Sequence, residues 1–340
     1  MCGFCKKSMA KNNRIIMRVL LISNQRPNKQ GIGNPIMYRM LKALQNDKRI
    51  ENVDFMPFYN SFSSFRQIRN AAKNVDLVHI HFGGLYALLI RIVLLNVGCK
   101  KFITFHGTDI HAKAIKTTKS ILGKIKIKLN QYASFISIIL FDKCGFVADE
   151  MREYVPRCLN RRLNKVSFLH RLGVDYDVFK LMDKEEAKKK LELKAFKYVL
   201  FSDVSNTTIK RRDIAEQIVN ELGAEYKLLI MCGVKPDEVP YYINASEFLL
   251  LTSDEEGSPN IIRECLALNK SVFSVDVGDA AKQLKGLHNS KIISRNPMEA
   301  VKIIKQHFQN PYIDNTRENQ KDILDFQEIT KEVVNIYQYE

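Results

Sequence analysis

Thr252-Ser-Asp-Glu-Glu-Gly-Ser-Pro-Asn-Ile-Ile-Arg-Glu-Cys-Leu-Ala267 is the most informative stretch of this 340-residue chain. An apolar run, Phe248 to Leu251, precedes it and reads as a buried strand. Gly257, Ser258 and Pro259 make a tight turn directly after Glu256, and Ile261, Ile262, Cys265 and Leu266 then recur at helical spacing. The segment is therefore strand, turn and helix start. One carboxylate, Glu256, lies in the turn, and a second, Glu264, lies eight positions on. A helix start presents unpaired N–H groups and the positive end of a dipole, which suits a phosphate. Carboxylates accept hydrogen bonds from sugar or ribose hydroxyls. Strand-turn-helix units are common in α/β proteins, so the neighbouring segments decide between a binding site and ordinary packing.

Short apolar runs alternate with amphipathic stretches along the whole chain. Strands are expected at 19–23, 53–57, 77–81, 102–105, 145–148 and 166–169, then at 198–202, 227–231, 248–251, 271–275 and 291–293. Helical patterns fill the intervals, and one amphipathic helix is expected over about 317–338. This alternation predicts parallel sheets with helices on both faces. The length suggests two domains, and the region 174–197, rich in Asp and Lys, reads as the linker. Ligands of such sheets bind at the carboxyl ends of the strands, here in a cleft between domains.

Charge divides the halves. Residues 1–175 hold 30 Lys and Arg against 10 Asp and Glu, a net of +20; residues 176–340 hold 23 against 27, a net of −4. A basic half calls for an anionic partner: nucleic acid, an acidic membrane surface or a phosphorylated substrate. Residues 111–141 carry six Lys and no acid, interleaved with Ile and Leu, as a helix lying on an anionic membrane would be or as a plain solvated face. No base-reading module is evident, so nucleic acid is not expected. The apolar runs 85–98 and 133–141 are too short to span a bilayer. Seven Cys without regular spacing, Cys2 and Cys5 included, fit a reduced cytoplasmic chain better than a zinc site. Residues 1–17 lack the apolar core of a signal peptide and read as a leader of doubtful order, with Met17 as a second possible start.

Four further segments sit where chemistry gathers. Gln30-Gly31-Ile-Gly33-Asn34-Pro35 follows the first strand; its glycines allow close backbone approach to a phosphate or acceptor, or simply a turn. His79 and His81 end the third strand and can equally be packing residues. His106-Gly107-Thr-Asp109 ends the fourth strand; His106 can reach the cleft and bond a phosphate or substrate hydroxyl, and Asp109 can orient it or cap the next helix. Lys210-Arg211-Arg212 follows the first strand of the second half, where cations would face a diphosphate.

Taken in order, these elements resemble the retaining glycosyltransferases of family 4 (glycosyl transferases group 1), over about residues 18–310. The match is carried by Ser253, Glu256, Gly257, Pro259 and Glu264, with Ala267, the 271–278 strand and turn, His106-Gly107, Gly173-Val174-Asp175 with Phe179, and Lys210-Arg211. The resemblance implies a GT-B fold: two tandem Rossmann-like doubly wound parallel-sheet domains facing across a cleft. It places an acceptor domain at 18–173, a nucleotide-sugar donor domain at 174–316, and a C-terminal helix, 317–340, crossing back to the first domain. It implies transfer of a sugar, of the hexosyltransferase type, from a UDP- or GDP-sugar to an acceptor hydroxyl with retention. The setting would be polysaccharide, lipopolysaccharide or glycolipid synthesis at the cytoplasmic face of the membrane. His106 and Glu256 would be catalytic. Gly33, Lys210, Arg211, Gly257, Ser258, Pro259, Asn260 and Glu264 would bind the donor, and Gly107 and Asp109 would lie on the acceptor side. No metal or other cofactor is expected, the partners being the donor, a glycan or lipid-linked acceptor and an anionic membrane. Three positions depart from the family pattern: Asp203-Val204 where Gly-Arg is frequent, Leu172 where Asn is usual, and Gly278 as the one glycine left in its turn. The alternatives are a nucleotide-sugar epimerase or phosphorylase of the same fold, or a non-enzymatic basic binding protein.

Overall fold

The computed structural model describes residues 16–23, 35–58, 61–112, 115, 118–203, 208–309, 315–320 and 325–338. Residues 1–15 of the leader and Gly33 lie outside them, as does the loop 204–207 before Lys210, while Met17, placed in the leader, opens the first strand.

All eleven expected strands form, in two wholly parallel sheets. The first holds β1 (Met17–Ser23), β2 (Ile50–Pro57), β3 (Leu77–His81), β4 (Lys100–Phe105), β5 (Lys143–Phe146) and β6 (Ser167–Leu169), in the order β2-β1-β3-β4-β5-β6. The second holds β7 (Lys197–Ser202), β8 (Tyr226–Met231), β9 (Ser246–Leu251), β10 (Ser271–Ser274) and β11 (Lys291–Ile292), in the order β11-β10-β9-β7-β8. Parallel strands joined by helical crossovers bury both faces, which is why the strands are nearly continuous apolar runs. In β1, Leu20 and Ile22 enter one core with Ile80, Phe105 and Phe146, while Val19 and Leu21 enter another with Leu77 and Phe102. The second sheet builds a single large core around Val199, Leu249, Phe248 and Phe273.

Two expectations shift. The strand placed at 145–148 runs over 143–146, and Asp149–Tyr154 is a 3-10 helix. Among the described residues the terminal helix is two helices, Thr316–Asn319 and Phe326–Gln338. The second starts at Asp325, whose carboxylate accepts from the N–H of Gln327 at 2.7 Å and caps it. The linker region holds one short helix, Lys184–Lys190, capped by Asp183.

The Phe326–Gln338 helix packs on the first sheet. Val174 and Asp325 form an isolated bridge, and a Cβ on Gly173 would lie 2.6 Å from Phe326 Cα, so only glycine admits this crossing. Val333, Val334 and Tyr337 fill the core beside Met37, Met40 and Phe102. Tyr337 is fully buried, its hydroxyl 2.6 Å from His79 Nδ1. The Leu85–Val93 and Ile121–Leu140 helices lie side by side on the other face and leave Leu89, Ile92, Leu122, Leu129 and Ile136 exposed. No helix among the described residues is long and apolar enough to cross a membrane.

Tyr337→Phe should lower the unfolding free energy, read from the urea midpoint, by about 1–3 kcal/mol, because it strands a buried imidazole nitrogen. An unchanged midpoint would show that the His79–Tyr337 bond contributes nothing.

Candidate functional site

The second-domain half of the site grows from the end of β9. The Thr252 hydroxyl donates to the carbonyls of Lys210 and Arg211 at 3.0 and 2.9 Å, and the Asp254 N–H donates to the Ile209 carbonyl. These bonds tie the loop after β7 to the turn after β9. Lys210 Nζ donates to Glu256 Oε1 at 2.6 Å, and the Ser253 hydroxyl donates to the same oxygen at 2.8 Å. Both side chains are largely buried, so the pair is better ordered than a surface ion pair. An ammonium has three protons, and Glu256 takes one.

Arg211 takes a left-handed backbone (φ 52°) to start the next helix, and its guanidinium is bound by Asp213 and, at 3.4 Å, by Asp254. Pro259 begins the seven-residue helix Asn260–Leu266. The Ser258 hydroxyl donates to Asp279 at 2.7 Å and accepts from Arg263 at 2.5 Å.

Glu264 reaches out of the second domain. Its Oε1 accepts from both terminal nitrogens of Arg39, at 3.1 and 3.0 Å, and from Asn260 Nδ2 at 2.9 Å. Arg39 belongs to the Pro35–Gln45 helix of the first domain and lies over the Phe179 ring. Burial raises the Glu264 pKa while Arg39 opposes the rise. The three hydrogen bonds use Oε1, and Oε2 has no such bond among the described residues.

The first-domain half is the turn after β4. The Asp109 carboxylate accepts from the N–H groups of Gly83 (2.7 Å), His106 (3.0 Å) and Gly107 (2.8 Å), so it clamps the turns after β3 and β4 together rather than touching the His106 ring. Phe82, in a left-handed conformation (φ 70°) costly for a bulky residue, stacks on the His106 ring at 4.1 Å. The two halves meet backbone to backbone. A Cβ on Gly257 would lie 2.8 Å from the His106 carbonyl oxygen, and one on Gly278 would lie 2.4 Å from the Gly257 carbonyl oxygen. Gly107 has φ 128° and faces Gly257 Cα. Glycine at 107, 257 and 278 is what lets the His106 turn approach Glu256.

Behind this contact lies a buried imidazole cluster. His81 Nδ1 and His106 Nε2 are 3.0 Å apart, and Thr104 Oγ1 joins His79 Nε2 to His170 Nδ1 at 2.8 Å each. Burial lowers every pKa: His106 to about 3, His170 to about 4, and His79 and His81 well below their ordinary value. At neutral pH His106 is therefore an uncharged hydrogen-bonding group. His79, His81 and His170 could offer a metal three nitrogens within 4.8 Å of one another. A tetrahedral zinc would need spacings of about 3.4 Å, and both His79 nitrogens already bond Tyr337 and Thr104.

Sequence reasoning singles out Lys210, Glu256, His106, Asp109 and Glu264, and all five lie in the segments that follow the carboxyl ends of β4, β7 and β9. It misses Arg39, Phe82, Arg263 and Asp279. Arg39 sits in an ordinary amphipathic pattern, and its partner is 225 positions away. A bulky residue just before Gly83-Gly84 was the available sign for Phe82.

No family model and no curated protein matches the chain in sequence. Solved structures do match in fold. HepE from Anabaena in complex with UDP aligns at a TM-score of 0.70 and 12% identity, over 94% of this chain and 99% of that one. A sucrose-phosphate synthase from Thermosynechococcus elongatus aligns at 0.67 and 14%, over 94% and 98%. A glycosyltransferase from Rickettsia africae aligns at 0.65 and 14%, over 94% and 97%. At such identities the likeness shows the fold, which is GT-B.

The buried imidazoles predict a pH dependence. Folded His106 and His170 stay neutral down to about 3 and 4, whereas the unfolded chain protonates near 6.5. The unfolded state binds more protons in between, so stability falls as pH drops from 6.5. Urea unfolding at about pH 5 should show a loss of about 2 kcal/mol per ring relative to about pH 7.5. His170→Gln should flatten the slope; a midpoint that does not change with pH refutes the neutral cluster.

Proposed function

We propose that the chain is a retaining glycosyltransferase of family 4 that moves a sugar from a UDP- or GDP-sugar to an acceptor hydroxyl. The observation that carries this reading is the Lys210–Glu256 pair, held against the His106 turn where Gly107 and Gly257 touch. The related fold of HepE, whose structures hold UDP and UDP-glucose, supports a nucleotide-sugar donor. In this mechanism Lys210 compensates the charge that grows on the departing diphosphate, with Arg211 beside it. Glu256 accepts hydrogen bonds from the donor sugar. Glu264, through Oε2, accepts them from the ribose while Oε1 keeps Arg39.

The acceptor oxygen attacks the anomeric carbon on the face the diphosphate leaves. The new C–O bond forms as the old one breaks, and a diphosphate oxygen takes the acceptor proton. Neutral His106 hydrogen-bonds the reacting hydroxyls without adding a charge. Catalysis is then positioning and charge stabilisation, and Lys210 supplies the positive charge without a metal cofactor. A hexose is the proposed sugar, and surface polysaccharide, lipopolysaccharide or glycolipid the proposed product class.

A thermal-shift and hydrolysis screen of UDP- and GDP-sugars tests this. One nucleotide sugar should stabilise the protein and be turned over. Lys210→Met should cut kcat/KM by about 10²–10³, and Glu256→Gln should lower turnover while nucleotide stabilisation persists. No stabilisation by any nucleotide refutes the donor site, and release of an epimer in place of a glycoside refutes transfer.

The exposed apolar residues of Leu85–Val93 and Ile121–Leu140, with Lys124, Lys126 and Lys128 alongside, favour peripheral docking on the anionic inner leaflet. Binding to phosphatidylserine-containing vesicles should fall from low to high salt. Binding insensitive to salt would refute an electrostatic contribution.

A further inference from the structure

A cavity of about 470 Å³ lies between the domains, on the Ser258 side of the glycine contact. Val147, Leu169 and Leu266 give it apolar walls. Its charged lining is unevenly paired. Lys282 bridges Asp149 and Glu150 at 3.4 Å each. Asp279 is committed to the Ser258 hydroxyl, to Arg263 at 3.2 Å and to Gln283 at 2.6 Å. Arg171 and Lys285, also in the lining, form no ion pair among the described residues. The surplus charge in the cavity is positive.

Three residues of this lining each carry a buried polar atom without a hydrogen-bond partner among the described residues: Arg263 Nη1, Glu150 Oε2 and Gln283 Oε1. Such atoms are rare, and each costs about 1–3 kcal/mol if left unmet. Arg263 is 8% exposed; burial lowers its pKa, the paired Asp279 opposes the drop, and the nearby Arg171 adds to it. The orphan donor belongs to a cation and asks for an anionic oxygen. The two orphan acceptors ask for hydroxyl or N–H protons. The size falls within the roughly 300–1,000 Å³ of small-molecule sites.

We infer that this cavity binds a polyhydroxyl ligand bearing an anionic group, phosphate or carboxylate, with the anion on Arg263 and Arg171 and hydroxyls on Glu150 and Gln283. The ligand is a sugar phosphate or a sugar acid. That it is the acceptor rests on the transferase reading: Ser258, which bonds both Arg263 and Asp279, follows Gly257 at the His106 turn.

Isothermal titration of the full chain with glucose 1-phosphate, glucuronate and glucose, at constant ionic strength and with or without saturating UDP, tests the site. At least one anionic sugar should bind about tenfold or more tightly than glucose, and which one distinguishes phosphate from carboxylate. UDP should not displace it. Arg263→Lys, which keeps a cation beside Asp279 but removes the fork, should weaken binding about tenfold. Arg171→Gln, at a half-exposed position, should do the same without risk to the fold. Equal binding of all three sugars, displacement by UDP, or affinity unchanged in Arg171→Gln overturns the site. Anionic binding lost in Arg171→Gln in a protein that no nucleotide stabilises would uphold the site and remove only the assignment to an acceptor.

Discussion

The turn at His106-Gly107 rests on the backbone of Glu256-Gly257, and Gly278 rests on Gly257 from the other side. Three glycines in contact leave no room for a methyl group between the domains at this point, so the distance from the His106 ring to the Glu256 loop is set by backbone thickness. The local restraints converge here. Asp109 binds the amides of the His106 turn, and Thr252 fastens the Lys210 loop to the Glu256 turn. Substituting any of these glycines would move two whole loops rather than one side chain. On one side of the contact lies the Lys210–Glu256 pair, and on the other the Arg263–Asp279 network.

The polar groups around this contact follow two regimes. The imidazoles of β3, β4 and the β6 end are buried among one another, and desolvation keeps them neutral. The carboxylates and cations are buried in opposite-charge pairs, Arg39 with Glu264 and Arg263 with Asp279. A buried pair is weak evidence for stability, since desolvation offsets its attraction. Its value here is positional: the Arg39–Glu264 pair sets the helix after β1 against the helix after β9, with both guanidinium nitrogens on one carboxylate oxygen.

The strands were legible because parallel strands buried on both faces are short apolar runs, as Phe248–Leu251 shows. Sheet order was not, since pairing of β9 between β7 and β10 depends on side chains far apart in sequence. The break before Phe326 was missed because a single Asp carries its signal. Lys210 and Glu256 stand out in sequence because each follows an apolar strand, and they meet across 46 positions. Arg39 and Arg263 carry no such mark: each is one cation in an otherwise ordinary helix, and its importance comes from what tertiary packing brings to it.

Tyr337 has a further consequence. It completes the core that Met17, Val19 and Leu21 begin, more than three hundred residues earlier. Chains are made from the amino end, so the part of this sheet face that the Pro35–Gln45 helix does not cover stays open until the last helix emerges. The first domain can gain its crossover helices early, but not its final packing. Closing so long a loop adds little entropy, because that cost grows only logarithmically with length. The delay, rather than the entropy, is the burden: through most of synthesis part of an apolar sheet face waits for its cover, and a chain truncated before Phe326 would never receive it.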